Sequence, residues 1–318
     1  MRDIVFVIPF AGGSSRSFRG WHTQVRFEFV YIDMPGKGVR EGETLLNHFE
    51  EMVDEGYSQI TRYLEVHPAD KYYIWGHSMG SYLAFEIVRK MSKTGRKMPA
   101  CLILSGTAPP ECFTGDALKE YMADDDKFVQ YIVSFGLVPA KIAGSRIFRA
   151  KYLLPIKKDY EALCEYRKCS GVLQGQPAII MNGRGDEFTE EMVLRWQVCF
   201  EIPPNFLWFK GGHFFILQNA EIVLSTLTDF LQNQKEEKMR EKIIEIIVEV
   251  LKLSEENQKR ISGDCDLTTI GLDSLNAIEV VVNLEAEFDI MVDDDDLSLD
   301  NLATIELLEQ IVEKYTEE

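Results

Sequence analysis

Short apolar runs recur along the first 230 residues, each followed by a longer stretch whose apolar positions fall at helical spacing. The runs at 4–8, 27–32, 72–75, 101–104, 178–181 and 206–209 are four to six residues long and almost free of charge. Such continuous runs, rather than alternating ones, mark strands buried on both faces of a largely parallel sheet. Helices are expected at 45–66, 79–93, 190–198 and 214–231, so the alternation predicts an α/β fold with helical layers on a parallel sheet. Between 112 and 171 the rhythm changes to helical pieces, such as 128–135 and 160–169, with no run that reads as a strand. That stretch is expected to be a lid inserted over the carboxyl edge of the sheet.

From 239 onward only the helical period remains. Ile243, Ile246, Ile247, Val250 and Leu251 share one face, as do Leu275, Ile278, Val282 and Phe288, and then Leu307, Leu308 and Ile311 within 304–315. Three helices joined by a loop at 254–273 predict a small all-α bundle. The expected domains are therefore 1–232, a linker at 233–238, and 239–318. No Gly or Pro occurs between 230 and 242, so the linker itself suits a helix.

Charge sharpens this division. The chain carries a formal net charge of −18 over 318 residues. From Lys235 to Glu318 there are 24 acidic and 8 basic residues, leaving the rest at only −2. An acidic module of this kind repels nucleic acid and anionic membrane and suits a partner with a basic patch. The six cysteines (101, 112, 164, 169, 199 and 265) form no CxxC pair and no zinc spacing, and no metal site is expected. Reduced core thiols in a cytoplasm are the default for such a pattern. The apolar run after Met1-Arg2-Asp3 is too short for a signal peptide, and none approaches the roughly 20 residues of a membrane span.

The run 72–75 leads into Gly76-His77-Ser78-Met79-Gly80, which opens the helix expected at 79–93. This is GxSxG in its strand–turn–helix context, the nucleophile elbow of an α/β-hydrolase fold. Ser78 is then the nucleophile, and the acid and histidine should follow it in the chain. Of the five histidines only His213, in Lys210-Gly211-Gly212-His213-Phe214, lies beyond Ser78. His22, His48, His67 and His77 read as surface residues or as supports behind the reacting groups, with His77 flanking the elbow. Asn182-Gly183-Arg184-Gly185-Asp186 leaves the strand at 178–181, which makes Asp186 the candidate acid; Glu187 and, less directly, Asp116 compete, and Asp186 would also serve as a helix cap. One oxyanion donor is expected at the Met79 N–H, the other at Phe10 or Ala11 in Pro9-Phe10-Ala11-Gly12-Gly13-Ser14.

In the acidic bundle, Thr269-Ile270-Gly271-Leu272-Asp273-Ser274-Leu275 stands at the start of an amphipathic helix. Locally this is ordinary capping by Asp273, and no histidine lies nearby to activate Ser274. The segment nevertheless resembles the acyl and peptidyl carrier proteins, and that resemblance implies that Ser274 receives 4′-phosphopantetheine from a phosphopantetheinyl transferase. The first 232 residues resemble the type II thioesterases of nonribosomal peptide and polyketide pathways through Pro9–Ser14, Asp33-Met34-Pro35-Gly36, the elbow, and Gly211-Gly212-His213-Phe214. The resemblance implies a Ser78, Asp186, His213 triad and, as partners, carrier domains in cis or in trans. Members of that family are usually free-standing, whereas this chain carries its own carrier. Acyl transfer or cyclisation, with an amine or alcohol replacing water, is the rival enzymatic reading, and a non-catalytic carrier-delivery module is the rival of another class.

Overall fold

The computed structural model describes residues 3–23, 27–112, 115–136, 138–166, 171–258, 261 and 265–316. They fall into two compact units, Met1–Ser225 and Thr226–Glu318.

The first unit is built on six strands: β1 (Asp3–Ile8), β2 (Phe27–Tyr31), β3 (Tyr72–His77), β4 (Cys101–Ser105), β5 (Ala178–Gly183) and β6 (Asn205–Phe209). All pair in parallel, in the order β2-β1-β3-β4-β5-β6. β3, β4 and β5 are buried along their whole length, which is why their sequences are unbroken apolar runs instead of alternating ones. Parallel pairing brings every carboxyl end to one edge. The residues that follow β1, β3, β5 and β6 therefore meet there, although up to 200 residues separate them in sequence.

Two helices, α1 (Phe49–Val66) and α2 (Met79–Lys93), share a core with one face of the sheet. α1 begins four residues later than its pattern suggests. The Leu45 side chain occupies the space where a Cβ on Gly36 would lie, only 2.5 Å away, so Leu45 packs against that turn and does not enter the helix. Among the described residues, five helices lie in the segment expected as a lid: α3 (Gly115–Met122), α4 (Asp125–Ser134), α5 (Ala140–Ala143), α6 (Arg146–Lys151) and α7 (Leu153–Glu165). They bury a small core of their own, including Phe128, Ile132, Phe148 and Ile156. The end of the expected helix at 160–169 lies partly outside the described residues.

After β5 come α8 (Glu190–Leu194), continued by a 3-10 turn to Cys199, and after β6 comes α9 (Phe215–Gln218). The helix expected over 214–231 is interrupted at Asn219, whose side chain turns back to donate to the Lys210 carbonyl at 2.8 Å. α10 (Ala220–Val250) then runs through residues 233–238 without a break, as their Gln, Lys and Glu content favours. The second unit also contains α11 (Glu255–Gln258), α12 (Ser274–Phe288) and α13 (Ile305–Thr316). Its core joins Ile243 and Ile247 to Val280, Leu284, Leu308 and Val312.

Candidate active site

Ser78 sits between the last residue of β3 and the first of α2 with φ 55° and ψ −122°. A non-glycine residue held there costs on the order of 1–3 kcal/mol, so the surroundings must enforce it. The Ser78 N–H donates to the Ser105 carbonyl at 2.8 Å, and the Ser78 carbonyl accepts from the Ser81 N–H at 2.9 Å. A Cβ on Gly76 would lie 2.1 Å from the Gly80 carbonyl oxygen, and one on Gly80 would lie 2.2 Å from that of Ile8. Neither position admits a side chain. The turn is thereby forced tight, and the hydroxyl is presented at the carboxyl edge of the sheet.

His213, 8 % exposed, places its Nε2 2.9 Å from the Ser78 Oγ. Its Nδ1 lies 3.1 Å and 3.2 Å from the two carboxylate oxygens of Asp186, whose side chain is 1 % exposed. A carboxylate can only accept, so Nδ1 carries the proton and Nε2 is left to accept from the serine hydroxyl. The acid and histidine loops are held backbone against backbone. Gly185 donates to the Gly211 carbonyl at 2.8 Å, and a Cβ on Gly183 would strike the Gly212 carbonyl at 2.5 Å. Asp186 also accepts the Glu187 N–H at 2.7 Å.

Glu187, the close competitor in sequence, has no hydrogen bond to His213; its side chain lines the cleft in front of the serine. Desolvation raises its pKa above the ordinary carboxylate value, and Asp186 adds to this while His213 opposes it. The Asp116 side chain lies outside the described residues, as does that of His22. His48 pairs with Glu165 at the surface.

Met79 is the first residue of α2, where the N–H has no helical partner and the helix dipole is positive. In the turn after β1, Gly13 donates to the Phe10 carbonyl at 2.8 Å and Gly12 donates to Asp159 at 2.6 Å. Among the described residues no partner is seen for the N–H of Phe10 or Ala11. Among the described residues the N–H groups of Met79, Phe10 and Ala11 thus find no acceptor at this edge of the sheet.

A cleft of about 350 Å³ opens beside Ser78 and His213. Tyr82, Tyr131, Tyr160, Phe135 and Phe188 line it together with Met79, Leu118, Leu163 and Met192, so its wall is largely apolar. Burial raises the pKa of all three phenols, which stay neutral. The lid supplies Phe135, Tyr131 and Tyr160.

Of the supporting residues, the sequence patterns point to His77 alone, beside the elbow. His77 is buried beneath the elbow, with Nδ1 2.9 Å from the Ser105 Oγ and its ring against Phe10, Phe214 and His213. Asp159 and its partner Lys37 lie 122 residues apart and carry no local signal. Asp33, in Asp33-Met34-Pro35-Gly36, accepts from the Ser15 N–H and hydroxyl and from the Val39 N–H at 2.6–2.9 Å, tying the loops after β1 and β2 together.

In the second unit, Asp273 caps α12 by accepting the Leu275 and Asn276 N–H groups, both at 2.9 Å. Ser274, the first helical residue, is exposed, and its hydroxyl has no partner among the described residues. Leu275, Ile278 and Val282 form an exposed apolar stripe along the same helix. A free, exposed hydroxyl at a capped helix start fits covalent attachment of a prosthetic arm.

Residues 3–231 match the family described as Thioesterase domain. The chain belongs to the thioesterase family. Residues 241–312 of this thioesterase match the family described as Phosphopantetheine attachment site. Similar proteins include the gramicidin S biosynthesis protein GrsT of Aneurinibacillus migulanus, 22 % identical over 68 % of this chain and 83 % of its own length. The probable anguibactin biosynthesis thioesterase AngT of Vibrio anguillarum is 26 % identical over 69 % and 88 %. The human S-acyl fatty acid synthase thioesterase, medium chain, is 24 % identical over 67 % and 80 %. Among solved structures, ClbQ from the colibactin NRPS/PKS pathway superimposes with a TM-score of 0.66 at 22 % identity, covering 74 % of this chain and 99 % of that one. The type II thioesterase BorB of the borrelidin cluster gives 0.62 at 23 % identity, over 72 % and 92 %. These two share the fold. Among the described residues of this thioesterase no helix is long and apolar enough to cross a membrane, and no cluster of three or more His, Cys, Asp or Glu could hold a metal ion.

Proposed function

We propose that this thioesterase is of type II and hydrolyses acyl, aminoacyl or peptidyl thioesters from phosphopantetheinyl carrier domains of nonribosomal peptide or polyketide synthases. The pathways named for GrsT, AngT, ClbQ and BorB support that assignment. The observation that carries the chemistry is the hydrogen-bonded chain Ser78 Oγ, His213 Nε2, His213 Nδ1, Asp186. His213 takes the Ser78 proton as the Oγ bonds the thioester carbon, and Asp186 holds the imidazole in the tautomer that can accept. The N–H groups of Met79 and of Phe10 or Ala11 take the negative oxygen. The carbon–sulfur bond breaks, His213 protonates the leaving thiolate, and the acyl group stays on Ser78. Water, deprotonated by His213, then releases the acid and restores the serine.

In this reading residues 1–232 are the hydrolase, 233–238 the connector and 239–318 the carrier, close to the spans that the two families match. Ser274 bears 4′-phosphopantetheine, installed by a phosphopantetheinyl transferase, and the arm supplies the thiol on which an acyl group rides. Carrier domains in cis or in trans are the partners.

The acid assignment makes the sharpest test. Asp186→Asn should lower kcat on an acyl-pantetheine thioester by about 10⁴-fold, through loss of the correct imidazole tautomer. Glu187→Gln should change it far less. Steady-state kinetics with the opposite ranking would reassign the acid to the next residue.

A further inference from the structure

Asp159 lies on α7, in the lid, and is 1 % exposed. A carboxylate so far from water survives only with partners for its oxygens. One oxygen accepts the Gly12 N–H at 2.6 Å, and the other is paired with the Lys37 ammonium, itself 10 % exposed. Gly12 is the neighbour of Ala11 in the turn that offers the second oxyanion donor. Its own N–H is consumed by Asp159, and the Gly13 N–H is consumed by Phe10, so the turn is closed internally and pinned from outside at one carboxylate.

The same helix also packs on this turn with nothing between them. Ile156, three residues before Asp159, has its Cγ1 2.4 Å from where a Cβ on Gly12 would be, and Gly12 has φ +76°. Only glycine permits both the backbone conformation and the approach of the helix. Ile156 is in turn part of the lid core with Phe128, Ile132 and Phe148. A displacement of the lid that carries α7 must either break the Gly12–Asp159 bond or take the turn with it.

We propose that Asp159 is a positioning residue through which the lid aims the oxyanion donors of Phe10 and Ala11, so that the hole is complete only when α7 is seated. This rests on the reading of Ser78 as nucleophile and of that turn as half of the oxyanion hole. The lid then does two things at once: it lines the acyl cleft with Tyr131 and Tyr160, and it sets the electrostatics of the transition state. Substrate binding draws on the first, and the rate of bond breaking draws on the second.

The test compares Asp159→Ala and Asp159→Asn in the full chain. The asparagine oxygen still accepts from Gly12, whereas alanine leaves that N–H without its acceptor. Each variant is assayed with a small acyl thioester and with an acyl trifluoromethyl ketone. The Ser78 oxygen adds to the ketone carbon, its proton passes to His213, and the resulting oxyanion occupies the hole. Asp159→Ala should lower kcat by about 10- to 100-fold, less than the roughly 10²–10³ for deleting a donor outright, because the donors are misaimed and not lost. KM should move less than about threefold, and ketone affinity should fall in parallel with kcat. Asp159→Asn, made together with Lys37→Met so that no ammonium faces the amide nitrogen, should recover most of both. If Asp159→Ala does not fold, Ile156→Ala loosens the same contact without touching the carboxylate and should show a smaller loss of the same kind. Unchanged kcat per folded molecule in the folded variants, or a rise in KM alone, would overturn the proposal. Near wild-type turnover by Ser78→Ala would instead overturn the proposed function on which it rests.

Discussion

His77 supports the elbow from a buried position. Next to the serine it reads as a flank of the elbow, and it is 1 % exposed, with its ring packed between Phe10 and Phe214. A Cβ on Gly106 would meet its ring at 2.5 Å, so even the far side is closed. Burial drives its pKa well below the ordinary value, and the nearby His213 charge lowers it further. Above about pH 6.5 His77 is neutral whether folded or unfolded and makes stability no more pH-dependent. Below that value the unfolded chain binds a proton that the folded chain refuses. Stability is therefore lost as pH falls from 6.5 toward the folded pKa, by up to about 1.4 kcal/mol per pH unit. His77→Gln should flatten this acid limb. All four tryptophans (21, 75, 196 and 208) lie in the first unit, so urea unfolding followed by their fluorescence at pH 7 and pH 5 reads it directly. Equal losses in the wild type and the variant would show that His77 is not the source. Ser78 and His213 were legible because motif and chain order single them out, whereas chain order left Glu187 and Asp116 beside Asp186, and only the geometry pairs Asp186 with His213. Asp159 was not legible, because its partners are 122 and 147 residues away and a lone Asp in a helical segment carries no pattern.

At the level of elements, the strands were legible to within two residues; for β3, β4 and β5 this is because a strand buried on both faces has no choice but an unbroken apolar run. Helix ends were less so, because contacts distant in sequence decide them: Leu45 on the Gly36 turn delays α1, and the Asn219 side chain on the Lys210 carbonyl interrupts the helix after β6. The elbow is the element most tightly specified. Its two glycines are required by backbone oxygens, which cannot move aside as a flexible side chain could. Gly80→Ala should therefore cost about 3 kcal/mol or more, at the upper end of overpacking penalties, and remove activity along with the turn. Gly20→Ala, where a Cβ meets nothing within 4 Å, is the matched control and should leave the unfolding midpoint nearly unchanged. Thermal melts of the two variants side by side decide this, and a Gly80→Ala chain as stable as the control would contradict the packing described.

Across the whole molecule the acidity divides as the chemistry does. The near-neutral first unit holds the serine, histidine and carboxylate, and the strongly acidic second unit holds a serine with no base beside it. Two serines in one chain thus have separate expected chemistries: Ser78 is acylated and freed in every turnover, and Ser274 is modified once and kept. Sequence alone separated them, through GxSxG and the carrier motif, but the acyl group that fits the aromatic cleft was invisible, because lid residues far apart in the chain build that cleft. The most direct measurement is the intact mass of rapidly quenched protein after mixing with an acyl-pantetheine thioester, followed by peptide mapping. The wild type should show one acyl group per chain on the peptide containing Ser78. Ser78→Ala should show none and retain only about 10³–10⁴-fold catalysis over water, while still accepting phosphopantetheine on Ser274. An acyl group found on a residue of the first unit other than Ser78, or turnover by Ser78→Ala at the wild-type rate, would contradict the account.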